Sequence, residues 1–139
     1  MNDLHHAIRI ATESHQYQLD KCGEPYILHP LRVMLMQKTY KRRILAILHD
    51  IIEDTDSTFD FVAKYFTEDI VISLMALTKG DNEKYEDYIL RCKADEDAKY
   101  VKIADIGDNM AEERLKQLDN ETQEQLRNKY NNALKVLLS

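Results

Sequence analysis

The sequence predicts an all-α, single-domain protein over residues 1–139, on three observations. Glycine and proline are scarce, 3 and 2 residues in 139, which leaves little material for the tight turns of a many-stranded sheet. Apolar residues recur at helical spacing, as at Leu4, Ile8 and Ala11 near the start and at Leu126, Tyr130, Ala133 or Leu134, and Leu137 near the end. A chain of this length with a hydrophobic fraction of 44% can bury one core.

The elements follow in order. A first helix is expected over Asp3 to Tyr17, then a loop from Leu19 to Leu28 marked by Cys22-Gly23-Glu24-Pro25. A second helix starts near His29, because Pro30 suits a first helical position, and runs to about Lys38. A third covers about Lys41 to Asp54. Its apolar residues Ile44, Leu45, Ile47, Leu48, Ile51 and Ile52 surround most of the axis, so it should be central and buried. Thr55 to Ser57 break it. Two shorter helices follow, near Thr58 to Tyr65 and Glu68 to Thr78, with Thr67 as N-cap of the second. Further helices are expected over Asn82 to Cys92, Asp95 to Leu118 and Thr122 to Leu138. The chain shows no internal repeat, linker or low-complexity tract.

A net charge of −6 argues against a nucleic-acid partner, because phosphate contacts dominate such affinity and call for a basic field. The cluster Lys38, Lys41, Arg42 and Arg43 reads as a solvated helix start. The longest apolar stretch, Ile70-Val71-Ile72 and then Leu74 to Leu77, is too short to cross a bilayer, so no membrane partner is expected. The opening MNDLHHAIRI lacks the apolar core of a signal peptide. Cys22 and Cys92 lack metal-type spacing and read as free thiols. Together these features predict a cytoplasmic protein. The sequence sets no oligomeric state.

The chemistry concentrates in His49-Asp50-Ile51-Ile52-Glu53-Asp54. Helical spacing puts Glu53 beside both His49 and Asp50, and Asp54 beside Asp50. Three carboxylates at the end of an apolar helix repel one another and oppose the helix dipole, and a divalent cation reverses the sign of both effects. Two further residues stand in unusual settings. His29 precedes Pro30 where a loop meets a helix. Asp105 is an acid inside the apolar stretch Val101-Lys102-Ile103-Ala104-Asp105-Ile106, with Asn109 one helical turn on. Two imidazoles and two carboxylates suit manganese, iron or zinc. Taken singly, each of these residues also fits a surface or core-polar role, since metal or catalytic use needs partners in space. His5, His6 and His15 on the first helix read as surface or structural residues.

Three ordered segments carry a resemblance: Gly23-Glu24-Pro25-Tyr26-Ile27-Leu28-His29-Pro30, Leu48-His49-Asp50-Ile51-Ile52-Glu53-Asp54-Thr55-Asp56, and Val101-Lys102-Ile103-Ala104-Asp105 closing with Asn109-Met110. Over about residues 3 to 138 the chain resembles the hydrolase domain of the RelA/SpoT proteins, HD-superfamily enzymes that remove the 3′-pyrophosphate of ppGpp. It is similar in size to the stand-alone metazoan SpoT homologues. The resemblance implies an HD-domain helical bundle and a divalent metal, manganese, held by His29, His49, Asp50 and Asp105. It implies that Glu53 and Asp54 position or activate the attacking water, that Lys21 meets phosphate, and that Asn109 contacts the nucleoside. The implied activity converts ppGpp to GDP and pyrophosphate, or acts on a related nucleotide. The alternative is a nucleotide- or metal-binding regulatory module with an HD fold and little turnover.

The chain departs from the family pattern at Asp20, where related sequences carry an arginine that packs on the base. It departs again at Asp105-Ile106-Gly107-Asp108-Asn109-Met110, where Asp-Arg-Leu-His-Asn-Met is usual, and at Glu112 in place of a small polar residue. Asp20 is expected to repel phosphate and weaken binding of guanosine alarmones. Gly107 is expected to cost its helix about 1 kcal/mol relative to alanine and to mark a bend.

Overall fold

The structure, a computed structural model, describes residues 3–139. In these residues the helices are α1 (Asp3–Ser14), α2 (Leu28–Leu35), α3 (Tyr40–Leu48), α4 (Ile51–Asp54), α5 (Phe59–Ala63), α6 (Glu68–Ala76), α7 (Tyr85–Ala94), α8 (Glu96–Asn109), α9 (Glu112–Leu115) and α10 (Asn120–Leu138). No strand forms among them. One isolated antiparallel bridge joins Leu19 to Pro25 and closes the loop between α1 and α2. The all-α expectation holds. No described helix is long and apolar enough to cross a membrane.

The core is organised by α3. Ile44, Leu45, Ala46, Ile47 and Leu48 are all buried, and the helix packs against α1, α2, α6 and α8. Burial on every side is what its unbroken apolar sequence predicted. The last helix, α10, lies on α7 and α8 and buries Ala133 and Leu137. Charged pairs fasten the rim. Lys41 and Arg42 at the start of α3 both reach Asp97 at the start of α8, each at 2.9 Å, so part of the basic cluster is an inter-helix tie.

Two long helices expected from the sequence are broken. The third stops at Leu48, and α4 resumes after Asp50, whose φ of −104° and ψ of −1° leave the helical path. The cause is local: Nδ1 of His49 donates to the Ala46 carbonyl at 2.5 Å, taking the acceptor that the Asp50 N–H uses in a continuous helix. The Asp95–Leu118 segment divides at Met110 and Ala111 into α8 and α9. The first helix ends at Ser14 rather than Tyr17, which sits at φ 71°, a conformation uncommon outside glycine. Asp95 and Asp119 cap α8 and α10 by accepting from Ala98 N (2.9 Å) and Thr122 N (2.8 Å). Thr67 occupies the N-cap position of α6 but turns its hydroxyl to Asp69 instead of capping.

Candidate metal centre and its two cavities

The turn that breaks the third helix gathers the polar residues. His49 ends α3 and Asp50 precedes α4. His29 lies in the first turn of α2, and Asp105 lies on the inner face of α8. Ligand atoms of His29, His49, Asp50 and Asp105 all fall within 4.8 Å of one another. Nε2 of His29 is 2.8 Å from Oδ1 of Asp105 and 3.6 Å from Oδ2 of Asp50. Nε2 of His49 is 3.0 Å from Oδ2 of Asp50 and 3.2 Å from Oδ1 of Asp105. Donors about 2.0–2.2 Å from one ion stand about 3 Å or slightly more from their neighbours, so the spacing fits a divalent cation.

The other ring nitrogens are already committed. Nδ1 of His29 donates to Oδ2 of Asp108 at 2.6 Å, and Nδ1 of His49 donates to the Ala46 carbonyl. Both rings therefore aim Nε2 at the centre, the orientation that metal-ligating histidines take. Electrostatics agree with a site built for positive charge. Burial opposes ionisation of Asp105, but Lys102, His49 and His29 outweigh it and hold the carboxyl well below the usual range. Burial lowers the affinity of His49 for a proton, and Asp50 and Asp105 more than restore it.

His29, Asp50 and Asp105 line a cleft of about 290 Å³. Glu53, Lys79, Lys102, Lys129, Tyr85 and Asn109 stand in its wall. Burial, then the neighbouring Asp50 charge, raises the Glu53 carboxyl above its ordinary value, in the direction that suits proton acceptance. Its Oε1 accepts from the Lys79 backbone N–H. Burial, then the charges of Lys102, Lys21 and Lys79, lowers the proton affinity of the Lys129 ammonium. A second cavity of about 310 Å³ shares Tyr26, Asn109 and Tyr130 with the first, and is otherwise lined by Leu19, Leu115, Leu118 and Leu126 together with Asp20, Lys21, Cys22 and Arg114.

The sequence-derived candidates divide between these spaces. His29, Asp50, Asp105 and Glu53 line one cleft, and His49 is buried behind them. Asp54 is not among its lining residues and accepts from the Tyr26 hydroxyl at 3.2 Å. Lys21 lines the second cavity, and Asn109 lines both while donating to Asp105 at 3.2 Å. Asp20 lines the second cavity and also has a local role. Its Oδ1 accepts from the backbone N–H groups of Cys22 (2.8 Å) and Glu24 (3.0 Å), so the carboxylate is spent on shaping its own loop. His15 is buried against Gln18, and His6 packs on Tyr65 and Phe66, both in keeping with structural roles. Two residues went unread in the sequence. Tyr26 donates to Asp50 at 2.6 Å from inside the quoted loop motif. Asp108 lies three residues after Asp105, a helical spacing that could have exposed it.

Comparison with known proteins bears on this arrangement. No family model matches the chain. A guanosine-3′,5′-bis(diphosphate) 3′-pyrophosphohydrolase of Aquifex aeolicus is 34% identical over 140 residues, covering 88% of this chain and 20% of that protein. This chain is a relative of the SpoT-type hydrolases. The bifunctional (p)ppGpp synthase/hydrolase SpoT of Escherichia coli is 33% identical over 88 residues, covering 60% of the chain and 12% of that protein. The chain thus spans a fifth or less of the length of these SpoT-type relatives. A solved structure of a metazoan SpoT orthologue described as hydrolysing ppGpp superposes with a TM-score of 0.82. At 21% identity it covers 99% of this chain and 86% of its own, and shows the same fold.

Proposed function

We propose that this protein is a metal-dependent phosphohydrolase that removes the 3′-pyrophosphate of guanosine alarmones, converting ppGpp to GDP and pyrophosphate, or that cleaves a closely related nucleotide. One observation carries the reading: two imidazoles and two carboxylates converge beside a lysine-walled cleft that shares Tyr26, Asn109 and Tyr130 with a largely apolar cavity. The SpoT-type relatives support the substrate class.

His29, His49, Asp50 and Asp105 would hold the cation. Manganese suits this mixed nitrogen and oxygen set. When bound, a divalent cation supplies Lewis acidity toward a phosphoryl oxygen and acidifies water. Glu53 takes the proton of the attacking water, whose oxygen bonds to phosphorus as the P–O3′ bond breaks. The ribose 3′ oxygen leaves as a hydroxyl, taking its proton from solvent water, and Glu53 returns the proton it took to solvent. Asp54 acts behind Asp50, with which it shares the Tyr26 hydroxyl. Lys79, Lys102 and Lys129 neutralise the pyrophosphate, as phosphoryl transfer requires. The nucleoside lies in the second cavity beside Asn109 and Tyr26, with Lys21 at its edge for a further phosphate.

The test is incubation of the purified chain with manganese and ppGpp, pppGpp, NADPH or simple nucleotides, with products separated by ion-exchange chromatography. GDP and pyrophosphate from ppGpp are expected. An absence of turnover on the whole panel at full metal loading contradicts the reading and favours a binding module.

A further inference from the structure

We propose that Asp108 is a positioning residue for the metal centre: it holds the Nδ1 proton of His29 and thereby aims Nε2 of that ring at Asp50 and Asp105. The inference rests on the reading of His29 as a ligand and adds what supports it.

The geometry is direct. Oδ2 of Asp108 accepts from His29 Nδ1 at 2.6 Å, across 79 positions of sequence, joining α8 to α2. Asp108 is only 4% exposed. A buried carboxylate is unfavourable unless its oxygens are satisfied, and these are. Arg32 spans both oxygens, with Nε 2.7 Å from Oδ1 and Nη2 3.0 Å from Oδ2, and Arg114 reaches Oδ2 through Nη1 at 2.7 Å. The two guanidiniums fix the carboxylate in place and keep it ionised, so it can only accept. An imidazole whose Nδ1–H is held in this way has its remaining lone pair on Nε2, the nitrogen that faces the centre.

The two histidines are thus supported differently. His49 leans on a carbonyl of its own helix, a support that comes with α3 itself. His29 leans on a charged side chain from a distant helix, which forms only in the folded chain and makes the ring more basic than a carbonyl does. Asp108 acts on the centre only through His29 and lines neither cavity, so its effect should appear in metal affinity before it appears in chemistry.

The experiment is manganese titration of the chelator-stripped full chain. Asp108→Ala is expected to raise Kd about 10–100-fold. Asp108→Asn retains an acceptor oxygen and should raise it less. Arg32→Met removes one of the two guanidiniums from Asp108 but leaves Arg114 and the His29 bond, and should raise Kd less than Asp108→Ala does. A folded Asp108→Ala variant with the unmodified Kd, alongside a His29→Ala variant that has lost binding, overturns the proposal. If His29→Ala itself binds as the unmodified chain does, the ligand assignment is what fails. Should Asp108→Ala not fold, long-range 1H–15N spectra of the unmodified, zinc-loaded chain decide. A His29 ring protonated at Nδ1 is expected, and a ring protonated at Nε2 refutes the role.

Discussion

The hydroxyl of Tyr26 donates to Oδ2 of Asp50 at 2.6 Å, tying the loop before α2 to the turn that ends α3. Burial, then the Asp50 charge, drives the phenol far above its ordinary pKa, so it stays a donor throughout the working pH range. Tyr26→Phe leaves that carboxylate one donor short. It should cost about 1–2 kcal/mol in stability and weaken metal binding by up to about tenfold. Thermal unfolding and a manganese titration read both effects, and no change in either shows that the bond is dispensable.

Glu53 faces the cleft, while its Oε1 accepts from the Lys79 backbone N–H. Glu53→Gln keeps an acceptor for that N–H but cannot take a proton from water. Metal content should stay stoichiometric while kcat falls on the order of 10²–10⁴-fold. A near-normal kcat with metal present removes Glu53 from the chemistry.

Gly107 stays within α8, and no heavy atom lies within 4 Å of where its Cβ would stand. Its φ is not in the left-handed region, so an L side chain meets no backbone strain there. Gly107→Ala should therefore stabilise by up to about 1 kcal/mol, raising Tm by roughly 3–5 °C in a chain of this size. A lower Tm would mean that the glycine serves a role beyond its helix.

The helices on either side of the site were legible because apolar periodicity is a local property of the chain. The ends of α3 and α8 were not. Residues 41–54 contain no glycine or proline, so nothing in the sequence stops that helix. What stops it is a side chain taking a carbonyl, and this also turns His49 toward Asp105. The four ligand candidates were legible from their unusual settings and the family motifs. Asp108 shares a helix face with Asp105, which marks it, but its partner His29 lies 79 positions away and only the fold brings the two together. Asp20 was read against relatives as a lost cation; its Oδ1 also shapes the turn ahead of Gly23, a local role that an aspartate three residues before a glycine can take.

The two thiols should react very differently. Cys22 is partly exposed in its loop, whereas Cys92 is fully buried and burial raises its thiol to about 11. Because the thiolate is the reactive form, a disulfide reagent at pH 8 should modify Cys22 promptly and Cys92 only on unfolding. Mass spectrometry of the labelled peptides reads this, and equal labelling in the native chain contradicts the packing of α7.

The most direct test of the central claim couples metal to turnover. Chelator-stripped protein is titrated with manganese while bound metal and GDP release from ppGpp are followed in the same samples. The account predicts no turnover without metal, a rise in proportion to metal bound at the His29, His49, Asp50 and Asp105 centre, and a plateau at one equivalent. Turnover that ignores the metal, or one bound equivalent with no GDP released, would contradict it.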